Sequence, residues 1–286
     1  MLKTVLVHSL RVLPAALISR TWGTLVRMRW PRWFARTLCR AFVAVNHIDL
    51  QEAETPGTSY PCLEDLFVRR LRPGVRPIDT RPDILVSPVD GQLGQCGTIT
   101  DGRLVQAKGK TYSLAELLGG VGESAAFAGG SFATLYLAPH NYHRIHAPTD
   151  GTVVRATVLP GRLLPVFSRS TETITDLFSR NERIVTYMEH ARLGTLAIVK
   201  IGATLVGRVR VCYDARLQTN LAGQRVIHRS YAPPIALKKG DELGVFELGS
   251  TVVLVAQARR LRWQNYATGM FVRVGQALGA LNAETM

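Results

Sequence analysis

The chain has 286 residues, 47% hydrophobic and 20% charged, a composition that argues against disorder and suffices for one large domain or two small ones. Thirty-five Lys and Arg against 21 Asp and Glu give a net charge of +14, which seeks a polyanion: nucleic acid or the anionic face of a membrane. Cys39, Cys62, Cys96 and Cys212 lie far apart with no CxxC pair and read as free thiols in a reducing compartment.

Residues 1–48 decide between the polyanions. They carry Lys3, Arg11, Arg20, Arg27, Arg29, Arg32, Arg36 and Arg40 without one acid, together with Trp22, Trp30, Trp33, Phe34 and Phe42. After Pro31 the spacing predicts a helix with Trp33, Phe34, Leu38, Ala41, Phe42 and Val45 on one face. Arg32, Arg36 and Arg40 form a rail along another. A bilayer span needs about 20 mostly apolar residues. The best run here, "VLPAALIS", is far shorter and contains Pro14, and no secretory cleavage site follows it. The segment therefore predicts peripheral attachment to an anionic membrane, at the cytoplasmic face of the cell membrane, and not nucleic acid; the alternative is a helix that docks its apolar face on the protein's own core.

Residues 48–60 form a polar bridge, and "LEDLFVRRLR" predicts an amphipathic helix stopped by Pro73. From about residue 82, short apolar runs such as "ILVSPV", "FATLYLA", "GTVVRATVL" and "TLAIVKIGATLVGRVRV" alternate with Gly, Asp, Asn and Pro. These are strands and tight turns, with one short helix at "YSLAELLG". The expected fold class is α+β, a β-rich barrel- or sandwich-like body with pseudo-repeated strands, preceded by amphipathic N-terminal helices. Residues 1–48 are the membrane segment and 49–286 the β-rich domain. The repeat lies in "SPVDGQLG" (87–94) and "APTDGTVV" (147–154), where Asp-Gly turns into a strand; "KKGDEL" marks a third turn. Turn geometry alone accounts for at least one of Asp90 and Asp150.

Two segments carry candidate chemistry. "APHNYHRIHAP" brings His140, His143 and His146 together, but no neighbouring Cys or Glu completes a ligand set, so no metal is expected. Imidazole serves acid–base chemistry near neutral pH. In "DELGVFELGSTVVLVAQ", Ser250 is either a turn residue or a nucleophile. It lacks the G-x-S-x-G elbow of the hydrolases. Gly249 has no Cβ, so Ser250 Oγ can approach the carbonyl that precedes it. An N→O acyl shift followed by β-elimination would cleave the chain and leave a pyruvoyl group in place of the serine.

"ELGSTVV" resembles the self-cleavage segment of the phosphatidylserine decarboxylases. "LFVRRLRPGVRPID", "SPVDGQL", "QAKGKTYSLAELL", "YLAPHNYHRIHAP", "FSRNERI" and "IGATLVG" resemble family segments in the same order. The resemblance implies a membrane-associated carboxy-lyase of the bacterial type. It would convert phosphatidylserine to phosphatidylethanolamine and CO₂ through a pyruvoyl group, derived from Ser250, that forms a Schiff base with the substrate amine. It also implies scission at Gly249–Ser250 into chains 1–249 and 250–286, partners from one precursor, and is compatible with a homodimer. Asp90 and His146 become the processing partners of Ser250, and His143 a proton donor or acceptor in decarboxylation. Asp150 keeps its turn reading, and His140 has no role beyond polar packing. Two other classes fit parts of the sequence: a self-processing serine hydrolase without the pyruvoyl step, and a non-enzymatic biotinyl- or lipoyl-like barrel.

Overall fold

The structure is a computed structural model that describes residues 21, 23–204, 208–247 and 250–282. The expectations resting on residues 1–20, Trp22 and Gly249 lie outside the described residues. Helix α1 (residues 23–27) leads into α2 (Arg32–Asn46), and α3 (Leu63–Phe67) follows the polar bridge. The strands then run β1 (Ile84–Val86), β2 (Gly91–Thr98), β3 (Arg103–Ala107) and β4 (Lys110–Ser113). Two short helices, α4 (Leu114–Leu118) and α5 (Val121–Ser124), precede β5 (Ser131–Leu137), β6 (Arg144–His146) and β7 (Gly151–Leu159). Helices α6 (Ser168–Thr173) and α7 (Leu177–Arg180) precede β8 (Arg183–His190), β9 (Gly194–Ile201) and β10 (Val209–Val211). The chain closes with β11 (Ile227–Leu237), β12 (Glu242–Phe246), β13 (Ser250–Ala256), β14 (Leu261–Trp263), β15 (Phe271–Val272) and β16 (Ala277–Leu281).

Eight strands pair in the order β11-β7-β8-β9-β13-β5-β2-β15. Strand β13 is central, and its residues from Thr251 to Ala256 are all buried. Period-two alternation assigns them to two cores. Val252 and Leu254 join Leu135, Ile198, Ile145, Phe246 and Leu278 on one face, where the small sheets β10-β12-β6 and β1-β16-β14 cover the large one. Val253 and Val255 join Phe132, Val199, Leu117, Leu177 and Phe178 on the other, beneath α4 and α7. A strand sandwiched between two apolar layers reads as an unbroken apolar run, which is why "VVLVA" lacks polar positions after Thr251.

Three expectations need correction. The large sheet keeps open edges at β11 and β15, so among the described residues the body is sandwich-like and forms no closed barrel. The repeat holds locally: Gly91 and Gly151 each open a strand after an Asp. Their shared requirement is close approach of a neighbouring strand. A Cβ at Gly91 would lie 2.6 Å from the Tyr136 carbonyl oxygen, and one at Gly151 would strike that of Glu189. The strands they open have different surroundings, β2 between β5 and β15 and β7 between β11 and β8, so the repeat does not extend to strand order. Finally, the helix predicted up to Pro73 ends at Phe67. The chain beyond it pairs with the polar bridge instead, Glu54 N–H donating to Arg70 O and Arg72 N–H to Glu52 O, each at 2.9 Å.

Helix α2 divides its apolar residues between two directions. Cys39, with Leu38 and Phe42, packs on Leu63 and Leu66 of α3. Trp33 and Val45, 72% and 76% exposed, face away with Phe34. No helix among the described residues is long and apolar enough to cross a membrane.

Candidate active site

Strand β5 ends at Leu137 and turns at once. The Ala138 N–H donates to Asn141 Oδ1 at 2.7 Å, and the Asn141 N–H returns to Ala138 O at 2.9 Å. This Asx-type turn aims the chain into β6, which pairs with β12, His146 opposite Glu242. His143 is fully buried, with its ring 4.0 Å from that of Phe67 between centroids. Its Nδ1–H donates to Asn141 O at 2.8 Å, which leaves the Nε2 lone pair without a partner. Burial holds its pKa down to about 3 against the upward pull of the Asn141 hydrogen bond, with the Arg69 cation a smaller downward influence. Burial thus favours the neutral imidazole. Arg69 is itself buried and donates to His140 O at 3.0 Å, bracing the same turn.

His146 sits three residues on, with different partners. Its Nδ1–H donates to Gly240 O at 2.7 Å, and Nε2 accepts from the Tyr142 hydroxyl at 3.1 Å. Burial lowers its pKa too. Asp90 is 2% exposed and grips Arg76, with Oδ2 at 2.6 Å from Nη2, while Oδ1 accepts the Val274 N–H at 2.8 Å. His146 lies within the electrostatic reach of Asp90, and its N–H donates to Pro88 O at 2.8 Å. The two side chains share a region, yet no hydrogen bond joins them, because both ring nitrogens of His146 are engaged elsewhere. Asp150, by contrast, is exposed and accepts the Lys239 N–H at 3.0 Å, as a turn residue does.

Ser250 opens β13, its backbone in register with Leu137, the last residue before the histidine turn. The side chain of Ser250 lies outside the description. Thr251 stands in one cross-strand row with Tyr136 and Gln92. These three line a cavity of about 310 Å³ with Gln106, Lys108 and Phe178, and the buried Thr251 Oγ1 has no partner. Reasoning from sequence missed Arg76, Tyr142 and this cavity. A buried carboxylate requires a cation, and "RPGVRPID" contains the one that Asp90 uses, but no spacing rule selects Arg76 from its neighbours.

These features define a class, a β-rich α+β protein with buried acid–base groups gathered at one end of its central strands. The phosphatidylserine decarboxylase family matches residues 63–280. The chain is 45% identical over 275 residues to the phosphatidylserine decarboxylase proenzyme of Anaeromyxobacter sp., covering 96% of this chain and 97% of the relative. It is 42% identical over 273 residues to the proenzyme of the same name from Brevibacillus brevis, covering 95% and 96%. The chain belongs to the phosphatidylserine decarboxylase family.

Proposed function

We propose that this chain cleaves itself at Gly249–Ser250 and then decarboxylates phosphatidylserine to phosphatidylethanolamine with a pyruvoyl group made from Ser250. The observation that carries the reading is the place of Ser250 in a member of this family, at the head of the innermost strand, opposite the last residue before the histidine turn. In self-cleavage, Ser250 Oγ attacks the Gly249 carbonyl and the peptide becomes an ester. β-Elimination releases the Gly249 carboxylate and leaves dehydroalanine, and water then replaces its nitrogen, which departs as ammonia. Neutral His146 accepts the serine proton at Nε2 once the Tyr142 hydroxyl gives way, and the buried Asp90 carboxylate stabilises the imidazolium through space. The exposed Asp150 offers no such charge.

The surrounding residues fit a pyruvoyl group. Thr251 Oγ1 and His143 Nε2 are buried polar atoms that lack partners, and such atoms are costly unless a ligand satisfies them. The group supplies an electrophilic carbonyl for the substrate amine and a sink for the electrons left by CO₂. His143 Nε2, its tautomer fixed by Asn141 O, takes the proton that the substrate ammonium sheds and returns it to the substrate Cα after CO₂ leaves. Intact mass tests this reading: the small chain, 250–286, should lack a free amine and be lighter than its serine form by one NH₃. A small chain that begins with serine would establish the simple self-processing protease instead.

The N-terminal segment supports peripheral attachment to an anionic membrane. Arg32, Arg36 and Arg40 are exposed on α2, and Trp33, Phe34 and Val45 leave its docked side free to enter lipid. Replacing the three arginines with glutamine should weaken co-sedimentation with anionic vesicles more at low salt than at high salt, since counterions screen exposed charge. Replacing Trp33, Phe34 and Val45 with serine should weaken it at every salt concentration. Vesicle binding indifferent to both sets would assign membrane contact to another surface.

A further inference from the structure

Glu247 lies between the end of β12 and the proposed scissile bond, and its surroundings have no part in the chemistry above. The side chain is 1% exposed, and three arginines converge on its carboxylate. Arg27 Nη1 of α1 donates to Oε2 at 3.0 Å and Arg208 Nε to the same oxygen at 3.1 Å, while Arg210 Nε of β10 lies 2.7 Å from Oε1 as an ion pair without a hydrogen bond. The Glu247 backbone N–H also donates to Arg208 O at 2.9 Å. Glu64 of α3 completes the cluster, 3.8 Å from Arg27. Burial, then the neighbouring Glu247 carboxylate, pushes the Glu64 carboxyl up to about 7. Four parts of the fold meet on this one residue: α1, α3, β10 and the end of β12.

Two buried or half-buried carboxyls and three cations cost more to desolvate than an apolar contact of equal size. Such a cluster does fix geometry, because each charge-assisted bond constrains the next. What it fixes here is the upstream arm of the segment that carries Gly249, two residues further on and thus within about 7 Å of chain. The downstream arm is held by the ladder that Ser250 and Thr251 make with β5. An intramolecular attack depends on holding both arms in one geometry.

We infer that Glu247 and its arginines form a clamp that positions the scissile segment for self-cleavage, and that the N-terminal region takes part through Arg27. The inference rests on self-cleavage at Gly249–Ser250. Glu247 and Arg27 are positioning residues and do not touch the reacting atoms. The clamp ties maturation to the same N-terminal region that carries the exposed basic and aromatic side chains of α2.

The test is the rate of chain scission during a chase after cell-free synthesis of the full chain, for Arg27→Gln, Glu247→Gln and the double variant, with thermal midpoints recorded for each. Glu247→Gln should slow scission about a hundredfold, as small misplacements of reacting groups do, and Arg27→Gln about tenfold. The double variant should be no slower than Glu247→Gln alone, since Arg27 acts through Glu247. Thermal midpoints near the parent's would exclude a general loss of stability. Arg27→Lys should restore most of the rate, and this pair decides the matter if Glu247→Gln does not fold. Scission at the parental rate in Arg27→Gln, or single effects that multiply in the double variant, would overturn the clamp. A parent chain that is never cut would remove self-cleavage and the clamp together. A parent cut to leave a serine amine would remove only the pyruvoyl reading, and the rate comparison would still judge the clamp.

Discussion

Asp90→Asn should leave the protein as a single uncut band where the parent gives two. The substitution keeps the shape of the side chain and an oxygen for the Val274 N–H, but removes one of the two carboxylates that act on His146, Glu242 being the other. Without it, the imidazolium formed when His146 takes the Ser250 proton keeps only Glu242 as a neighbouring carboxylate. Acid–base catalysis of this kind is worth roughly 10²–10⁴ in rate. His146→Ala removes the acceptor itself and should have the same outcome. Part of any effect at Asp90 is structural, because Arg76 loses its 2.6 Å partner and keeps only Glu52. Removing one member of a buried pair costs up to about 3–5 kcal/mol, so melting must be measured beside cleavage. Asp150→Asn disturbs one exposed turn bond, worth about 1 kcal/mol, and should be cut at the parental rate. Normal cleavage of Asp90→Asn, or blocked cleavage of Asp150→Asn, would reverse the assignment of the two aspartates.

His143→Gln should separate maturation from turnover. Scission continues in this variant, because His143 is engaged with Asn141 O and Phe67 and not with the processing groups. Decarboxylation should fall by about 10²–10⁴, the usual contribution of a positioned proton carrier. Full turnover by the variant, measured as CO₂ released per pyruvoyl, would remove His143 from the reaction. A second readout concerns pH. The folded-state pKa, about 3, lies below the ordinary value of 6.5, so between these limits the unfolded chain binds the extra proton. Stability contributed at this position is present above pH 6.5 and is lost as pH falls toward 3. The parent should therefore lose more stability between pH 7 and 4.5 than His143→Gln does, as read from denaturant midpoints at the two pH values. Equal losses would mean that His143 is solvated in the native state.

The sequence by itself determined the features that are local in the chain. Short apolar runs between turn residues specified the strands, the run after Ser250 among them. The Asp-Gly pairs located two strand starts, and contiguous segments such as "LGST" and "YHRIH" placed the candidate residues and the family. Each of these is written in neighbouring side chains, where alternation and turn chemistry act directly. Tertiary structure alone decided what depends on distant partners. Two aspartates with the same local sequence differ because Arg76 lies 14 residues from Asp90, while Asp150 meets only a surface turn. The helix predicted up to Pro73 stops at Phe67 because a segment some 18 residues upstream takes over its backbone bonds. The apolar stripe of α2 splits because α3 covers only part of it. Glu247 is one acid among 21 until Arg27, 220 residues away, closes on it in a site that excludes water. Burial sets the charge and tautomer of these groups, and burial is a property of the assembled layers, which no short stretch of chain contains.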